Sequence, residues 1–256
     1  MKREFRIKDL LTKLVFCFSV LASYNLLHAN WEPEESFMDF DSSALNTLNN
    51  VDFKSLKLHV TNALKGSWCS EEKTNLLMDL VYLTQPEVCV EIGAFTGSSV
   101  LPVVATLKLL THGKIYAIDA WSNEEAVKYL TDNDPNKTWW STIDMKVVRD
   151  IFDQMAITWD ISPYCTTIQE PSEKAVSNLP EIDFLHLDGD YSEAGSLRDV
   201  ELYLQKVKSG GYILLSNLFV IVNNTQPKLK AFCTLFDSCE MICEIEHDNA
   251  VLFRKN

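Results

Sequence analysis

The sequence predicts an α/β domain: a Rossmann-like, seven-stranded, mainly parallel sheet with helices on both faces and a C-terminal antiparallel hairpin. Three observations carry that expectation. Short apolar, β-branched runs alternate with segments of helical period from Ser70 to Leu215, the pattern of strand–helix–strand units. The first such run ends in a glycine-containing turn that opens a helix, and ligands of open α/β sheets bind there, outside the carboxyl ends of the strands. The last two runs are separated only by Glu246-His247-Asp248-Asn249, and strands joined that closely must be antiparallel.

The chain opens with Lys2, Arg3, Arg6, Lys8 and Lys13, then an apolar run from Leu14 to Leu27, then Ala29. A basic start, a short apolar stretch and a small residue at its end describe a secretory signal or N-terminal anchor over 1–29. The run is short for a membrane span. Residues 30–60 carry Glu32, Glu34, Glu35, Asp39 and Asp41 and are expected to form an acidic linker or arm. The domain is expected over 61–256.

Ser70 suits a helix N-cap, with Glu71 and Glu72 matching the first-turn dipole. Leu76, Leu77, Leu80 and Val81 follow with helical period, and Pro86 closes the segment. Strands are expected at Val88–Ile92, Lys114–Asp119, Cys165–Ile168, Ile182–Leu187, Tyr212–Leu215, Met241–Ile245 and Ala250–Phe253. Helices are expected at Ser98–Leu110, 141–157, Ser172–Leu179, Ser192–Val207 and Pro227–Phe236, with Gly210-Gly211 as a turn.

Composition narrows the function. Of 256 residues, 46% are apolar and 11% aromatic, too apolar for a disordered chain and enough for one core. The net charge of −13 repels phosphate, so nucleic acid is not an expected partner. A membrane enters only through 1–29, if that segment is not cleaved. Of the seven cysteines, Cys17 lies in the leader-like segment and none of the others has CxxC spacing, so a zinc ribbon is unsupported. Cys239 and Cys243 are open to pairing in an oxidising compartment.

The loop Glu91-Ile92-Gly93-Ala94-Phe95-Thr96-Gly97-Ser98-Ser99 has Gly-x-x-x-Gly spacing, not the G-x-G-x-x-G of a pyrophosphate cradle. Glu91 offers a carboxylate to a cationic amino group. Asp119, ending the second strand, is placed to accept from ribose hydroxyls. Acids at these two positions suit a ligand with an ammonium group and a ribose but no phosphate.

On these residues the chain resembles the class I S-adenosylmethionine (SAM)-dependent methyltransferases. EIGAFTGSS at 91–99 is similar to the loop of the catechol and caffeoyl-CoA type O-methyltransferases. A resemblance to a bacterial methyltransferase group spans roughly 70–254, through IDAWS at 118–122, WWS at 139–141, IDFLHLDGDYS at 182–192, LRDVELYL at 197–204, KSGGYILL at 208–215 and LFRK at 252–255. The resemblance implies SAM as cofactor, held by Glu91, Gly93, Gly97, Ser99 and Asp119, with Gln169 and Glu170 near the adenine.

The departures bear on chemistry. This chain has Tyr191 where the bacterial group usually has His, and Ser216-Asn217 where it usually has Asp-Asp. Metal-dependent relatives place ligands at the positions of Asp188, Ser216 and Asn217. Asp188 and Asn217 are therefore the candidate ligands for Mg²⁺, a cation that favours carboxylates, and Asp190 is the candidate substitute for the missing acid. Asp188, Asp190 and Tyr191 are the candidate catalytic residues, orienting or deprotonating an acceptor. Asp188 and Asp190 would equally suit a helix cap. Tyr191 is a poor base at neutral pH, and His186, inside an apolar strand, is expected to be a core histidine. Trp121, Trp139, Trp140 and Trp159 are candidates for the acceptor pocket.

The expected function is SAM-dependent methyl transfer to an oxygen or nitrogen of a small-molecule acceptor. The alternative is a catalytically degenerate relative acting as an exported binding or effector protein. A nicotinamide oxidoreductase is disfavoured by the glycine spacing and the hairpin. Export or membrane tethering is the expected location, cytoplasm the alternative, and a homodimer is left open.

Overall fold

The computed structural model describes residues 51–256. The segment 1–29, with the export expectation placed on it, lies outside the described residues, as does the acidic stretch up to residue 50. The rest of the expected arm does not stay irregular. Val51–Ala63 is a helix, α1. Its Phe53 and Val60 are buried, as is Leu64 just beyond its end, and Phe53 and Val60 lie seven apart, on one helical face. Phe53 stacks on Tyr82 with ring centroids 3.9 Å apart. Tertiary burial, not local polarity, decides this segment.

Tyr82 belongs to α2 (Glu71–Thr84), where Ser70 is the N-cap and its hydroxyl accepts from the Lys73 amide at 3.0 Å. The seven strands are β1 (Val88–Ile92), β2 (Lys114–Ile118), β3 (Cys165–Ile168), β4 (Ile182–Leu187), β5 (Val207–Leu215), β6 (Cys239–Ile245) and β7 (Ala250–Lys255), ordered β3-β2-β1-β4-β5-β7-β6. β1 to β5 are parallel, whereas β7 runs antiparallel to both β5 and β6. The strand order reverses between β1 and β4, which opens a crevice at their carboxyl ends. In that register Ile92 faces Leu187 and Leu187 faces Leu215. The residues that follow, Gly93, Asp188 and Ser216, therefore emerge side by side.

Alternate residues of a strand point to opposite faces, and both faces of this sheet are covered. Cys89, Ile115 and Phe184 pack on one side with Val103, Val104 and Phe152. Val90, Leu185 and Ile213 pack on the other with Val200 and Tyr203. The remaining helices are α3 (Val100–Leu110), α4 (Asn123–Val127), α5 (Lys137–Thr142), α6 (Met145–Thr158), α7 (Ser172–Ala175), α8 (Glu193–Tyr203) and α9 (Leu229–Ser238); α4 and α5 bury no residue.

Several boundaries differ from expectation. The 141–157 helix divides at Asp144, whose carboxylate accepts from the amides of Lys146 and Val147 at 3.0 and 3.1 Å and caps α6. Beyond α8 the chain enters β5 at Val207, so Gly210-Gly211 lies inside a strand rather than in a turn before it. The β4–β5 register shifts between Ile182 and Phe184. A Cβ on Gly211 would lie 2.9 Å from Val207 Cγ1 and 3.0 Å from the Asp183 carbonyl, so glycine leaves the room this irregularity takes.

The six cysteines of the described residues are free thiols. Cys239 and Cys243 occupy one strand, about 13 Å apart along an extended chain, beyond the ~7 Å Cα limit of a disulfide. Their pairing is excluded. No helix in the described residues is long and apolar enough to cross a membrane.

Candidate functional site

A cavity of about 400 Å³ lies at the carboxyl ends of β1, β2, β4 and β5, lined by Gly93, Ser99, Asp119, Glu170, Asp188, Asp190, Tyr191 and Asn217 among others. Gly93 has φ +87°, and a Cβ there would lie 2.7 Å from the Asp188 carbonyl oxygen and 2.8 Å from Gly189 Cα. Only glycine lets the β1 and β4 exits approach so closely. Asp119 braces the same floor. Its Oδ2 accepts from the Phe95 amide at 2.9 Å and its Oδ1 from the Trp121 amide at 2.7 Å. Burial raises its pKa, against these two hydrogen bonds. A carboxylate has about four lone-pair sites, so Asp119 retains acceptor capacity toward the cavity.

Three of the residues expected to bind cofactor are not at the cavity wall. Glu91 is completely buried. Its Oε1 accepts from the Ser99 hydroxyl, and its Oε2 has no hydrogen-bond partner, lying 3.3 Å from His186 Nδ1. Glu91 pairs with His186 across β1 and β4, which holds the carboxylate inside the sheet instead of at its end. Gly97 lies where a Cβ would be 2.2 Å from Met155 Cε, so it makes room for α6. Gln169 is exposed and accepts from Arg149 Nη1 at 3.1 Å. Its neighbour Glu170 lines the cavity.

Beside this floor a polar chain crosses the strand exits. Asn217 Nδ2 donates to Asp188 Oδ1 at 2.5 Å and to the Tyr191 hydroxyl at 3.3 Å. Lys73 Nζ reaches over from α2, donating to Asp188 Oδ2 and to Ser216 Oγ, both at 3.0 Å. His186 Nε2 lies 2.8 Å from the same Ser216 hydroxyl. Burial works to raise the Asp188 pKa, but its positive neighbours, Lys73 foremost, outweigh it and hold the carboxyl below its usual range. Burial pushes the Tyr191 phenol up, and the nearby Asp188 charge pushes the same way. Asp188 is thus an anion and Tyr191 a hydrogen-bonding phenol at neutral pH. Asp190 accepts from the Ser192 amide at 2.6 Å. It fits only because residue 195 is glycine, where a Cβ would lie 2.1 Å from Asp190 Cγ.

Comparison with protein-family models matches residues 90–218 to the description "Methyltransferase domain". The chain belongs to the methyltransferase domain family. No curated protein sequence matches it. Among solved structures, the fold is similar to a protein from Klebsiella pneumoniae assigned as an O-methyltransferase, at 13% identity and TM-score 0.55, covering 84% of this chain and 96% of that one. It is also similar to an O-methyltransferase from Bacillus cereus in complex with S-adenosylhomocysteine (SAH), at 12% identity and TM-score 0.52, covering 86% and 99%. The O-methyltransferase TomG from Streptomyces achromogenes, in complex with SAM, gives 11% identity and TM-score 0.53, covering 84% and 94%.

In this methyltransferase the four tryptophans expected near the acceptor separate. Trp140 lines the cavity, and so does Trp68, which no motif marks. Trp121 packs on Phe152 with centroids 5.4 Å apart. Trp159 packs against the two core clusters flanking α3. Trp139 is half exposed, edge-on to Trp140 with centroids 4.6 Å apart.

Three charged residues of the methyltransferase site also escape sequence reasoning: Lys73, Asp199 and Lys228. Asp199 lies inside the LRDVELYL string, the only signal that could have found it. Lys228 is buried, and burial lowers its pKa against the pull of Asp188, Asp199 and Asp190. Asp199 is buried and its Oδ1 accepts from the Ser172 hydroxyl at 2.5 Å. Burial pushes its pKa up to about 7, opposed by that hydrogen bond and aided by the Asp190 charge.

A raised pKa has a defined sign. The unfolded chain ionises Asp199 near pH 4, the folded protein only near about 7. Its contribution to stability is complete below about pH 4 and is lost as the pH rises toward 7. Asp199→Asn keeps an acceptor for Ser172 and has no charge to bury. The variant should gain up to about 4 kcal/mol on the wild type across that window and lose the advantage below about pH 4. Denaturant unfolding at pH 4, 6 and 8 measures this. A difference that stays constant with pH would mean that Asp199 is ionised in the native state.

Proposed function

We propose that this methyltransferase uses SAM to methylate an oxygen, or a nitrogen, of a small-molecule acceptor held in the cavity. One observation carries the reading. A single cavity joins a glycine floor with a spare acceptor on Asp119 to a polar wall of Lys73, Asp188, Tyr191 and Asn217. The residues fit SAM. The Gly93 turn presents main chain with no side chain over it, and Asp119 can accept from ribose hydroxyls. The SAM and SAH held by the Streptomyces and Bacillus relatives support the same choice.

When bound, SAM would supply an electrophilic methyl group on a sulfonium. The work of the protein is alignment. Asp119 and the Gly93 loop form the floor of the cavity, while Tyr191, Asp188 and Asn217, tied together by hydrogen bonds, present fixed dipoles and charge to an acceptor from the neighbouring strand exits. Trp68 and Trp140 add aromatic surface to its lining.

Calorimetry with SAM tests the reading. Asp119→Ala should weaken binding by about 1.5–3 kcal/mol, the value of a hydrogen bond to a charged group. Equal affinity for the variant and the wild type would remove Asp119 from the site. Absence of SAM binding by the wild type would sink the whole proposal. Screening small hydroxyl and amine acceptors for SAH release then identifies the acceptor.

A further inference from the structure

We propose that the Lys73 ammonium occupies the place where a divalent cation would be held, so that this methyltransferase works without a metal and selects an acceptor oxygen that carries negative charge. The proposal concerns the acceptor end of the site proposed above and rests on that reading.

The donor set expected for Mg²⁺ was Asp188 with Asn217, beside the position filled by Ser216. All three are engaged. Lys73 Nζ bridges the β4 and β5 exits, 3.0 Å from Asp188 Oδ2 and 3.0 Å from Ser216 Oγ. Asn217 turns its amide nitrogen, a donor, toward Asp188 Oδ1 at 2.5 Å, so this amide offers no oxygen between the two residues. The cation that would have to enter meets a buried ammonium already paired with the carboxylate. A second buried ammonium, Lys228, acts on Asp188 from farther away. Among the described residues no group of three or more His, Cys, Asp or Glu is arranged to hold a metal. Mg²⁺ asks for near-octahedral oxygen ligands and usually carboxylates; between Lys73 and Asn217 this wall presents one carboxylate, Asp188, under two positive charges, and Asp190, the candidate substitute acid, is engaged by the Ser192 amide at 2.6 Å. The site does not fit a divalent cation.

It does fit the service a cation would give. An ammonium is a compact positive charge with three donors. Two of Lys73's donors hold Asp188 and Ser216, and Lys73 lines the cavity, so the third is the one available to an acceptor. An ammonium has no lone pair to receive an N–H and repels a protonated amine. An ionised hydroxyl or a carboxylate is its natural partner, and Tyr191, hydrogen-bonded to Asn217, flanks the same spot. Lys73 enters from a helix 115 residues before Asp188, outside the strand–loop elements that build the rest of the wall.

The test uses the full chain and three probes. The first is Mn²⁺ or Mg²⁺ alone, titrated by calorimetry and by thermal melting. The wild type should show no binding heat and no change in Tm, with or without EDTA. The second is the double variant Lys73→Met with Ser216→Asp, which removes the ammonium and restores an acid. It should bind Mn²⁺ roughly tenfold or more tightly than the wild type, with a Tm that rises with metal. The third is 4-nitrophenol, whose phenolate has its own absorbance band. Wild-type protein should increase the phenolate fraction at fixed pH, and Lys73→Met should not, while Lys73→Arg, which keeps the charge and guards against a folding defect, should retain part of the effect. Mn²⁺ binding by the wild type with a raised Tm overturns the proposal, as does a phenolate band that shifts equally in wild type and Lys73→Met, or in neither. None of these measurements requires SAM, so a failure here is distinct from a failure of SAM to bind.

Discussion

Asp188→Asn should unfold at markedly lower denaturant concentration than the wild type and should lose at least about a hundredfold in turnover. The geometry gives the reason. Asp188 presents one oxygen to Lys73 at 3.0 Å and the other to Asn217 at 2.5 Å. Both partners are donors, and asparagine has a single acceptor oxygen. Whichever way the new amide turns, one donor faces an N–H₂ group. A buried ammonium also loses its counter-charge, a change that costs about 3–5 kcal/mol when a buried pair is broken from one side. The activity loss follows from the same displacement, because Lys73, Asn217 and Tyr191 are all positioned through this carboxylate. The pH dependence is signed. A carboxyl held below its ordinary pKa stabilises the fold above about pH 4 and loses that contribution as the pH falls through its folded value. Wild type and variant should therefore differ fully at pH 7 and converge in strong acid. Chemical unfolding across pH, with SAH release for turnover, measures both parts. A variant of wild-type stability and activity would remove Asp188 from the centre of the site.

Gly93→Val should abolish SAM binding and lower Tm by about 10 °C. From sequence, a side chain at this position is expected to strike the ligand. The structure changes the cause. The Cβ would collide with the main chain of Asp188 and Gly189, at 2.7 and 2.8 Å, and backbone cannot swing aside as a side chain can. A φ of +87° adds strain of about 1–3 kcal/mol for any non-glycine residue, and a β-branched one is worst placed there. Overpacking contributes about 1–3 kcal/mol more. At about 2–4 °C per kcal/mol for a domain of this size, the expected Tm loss follows. The β4 exit must move, and Asp188 moves with it, so the floor and the polar wall of the cavity both suffer from one substitution. Differential scanning calorimetry with SAM titration checks the prediction. Unchanged SAM affinity would show that the Gly93 turn is not part of the cofactor site.

Much of the fold was legible because it is written locally. The strands β1, β3 and β4 begin and end where their apolar runs do, and the four residues between the last two strands force a hairpin. Asp119 was found by its place at the end of a strand, and it lines the cavity. What local sequence does not show is which distant segment packs on a residue. Glu91 was expected to face a ligand because it precedes the loop, but its strand partner is His186 and the sheet closes over it. Gly97 belongs to the same loop, and the Cβ it lacks would strike Met155. The segment 51–60 looked like an arm because its neighbours are acidic, but Phe53 and Val60 find a core made by α2 and α3.

The sequence by itself determined the layered α/β domain, its methyltransferase resemblance and the crevice at the strand exits, since each depends on residue spacing along one stretch of chain. The tertiary structure alone decided the chemistry of the cavity's polar wall. Lys73, Asp188 and Ser216 come from three separate elements and carry no common spacing. Their meaning depends on distance and burial, because an ammonium 3.0 Å from a carboxylate in a largely dry site sets charge and protonation there, whereas the same two residues apart in water would do neither.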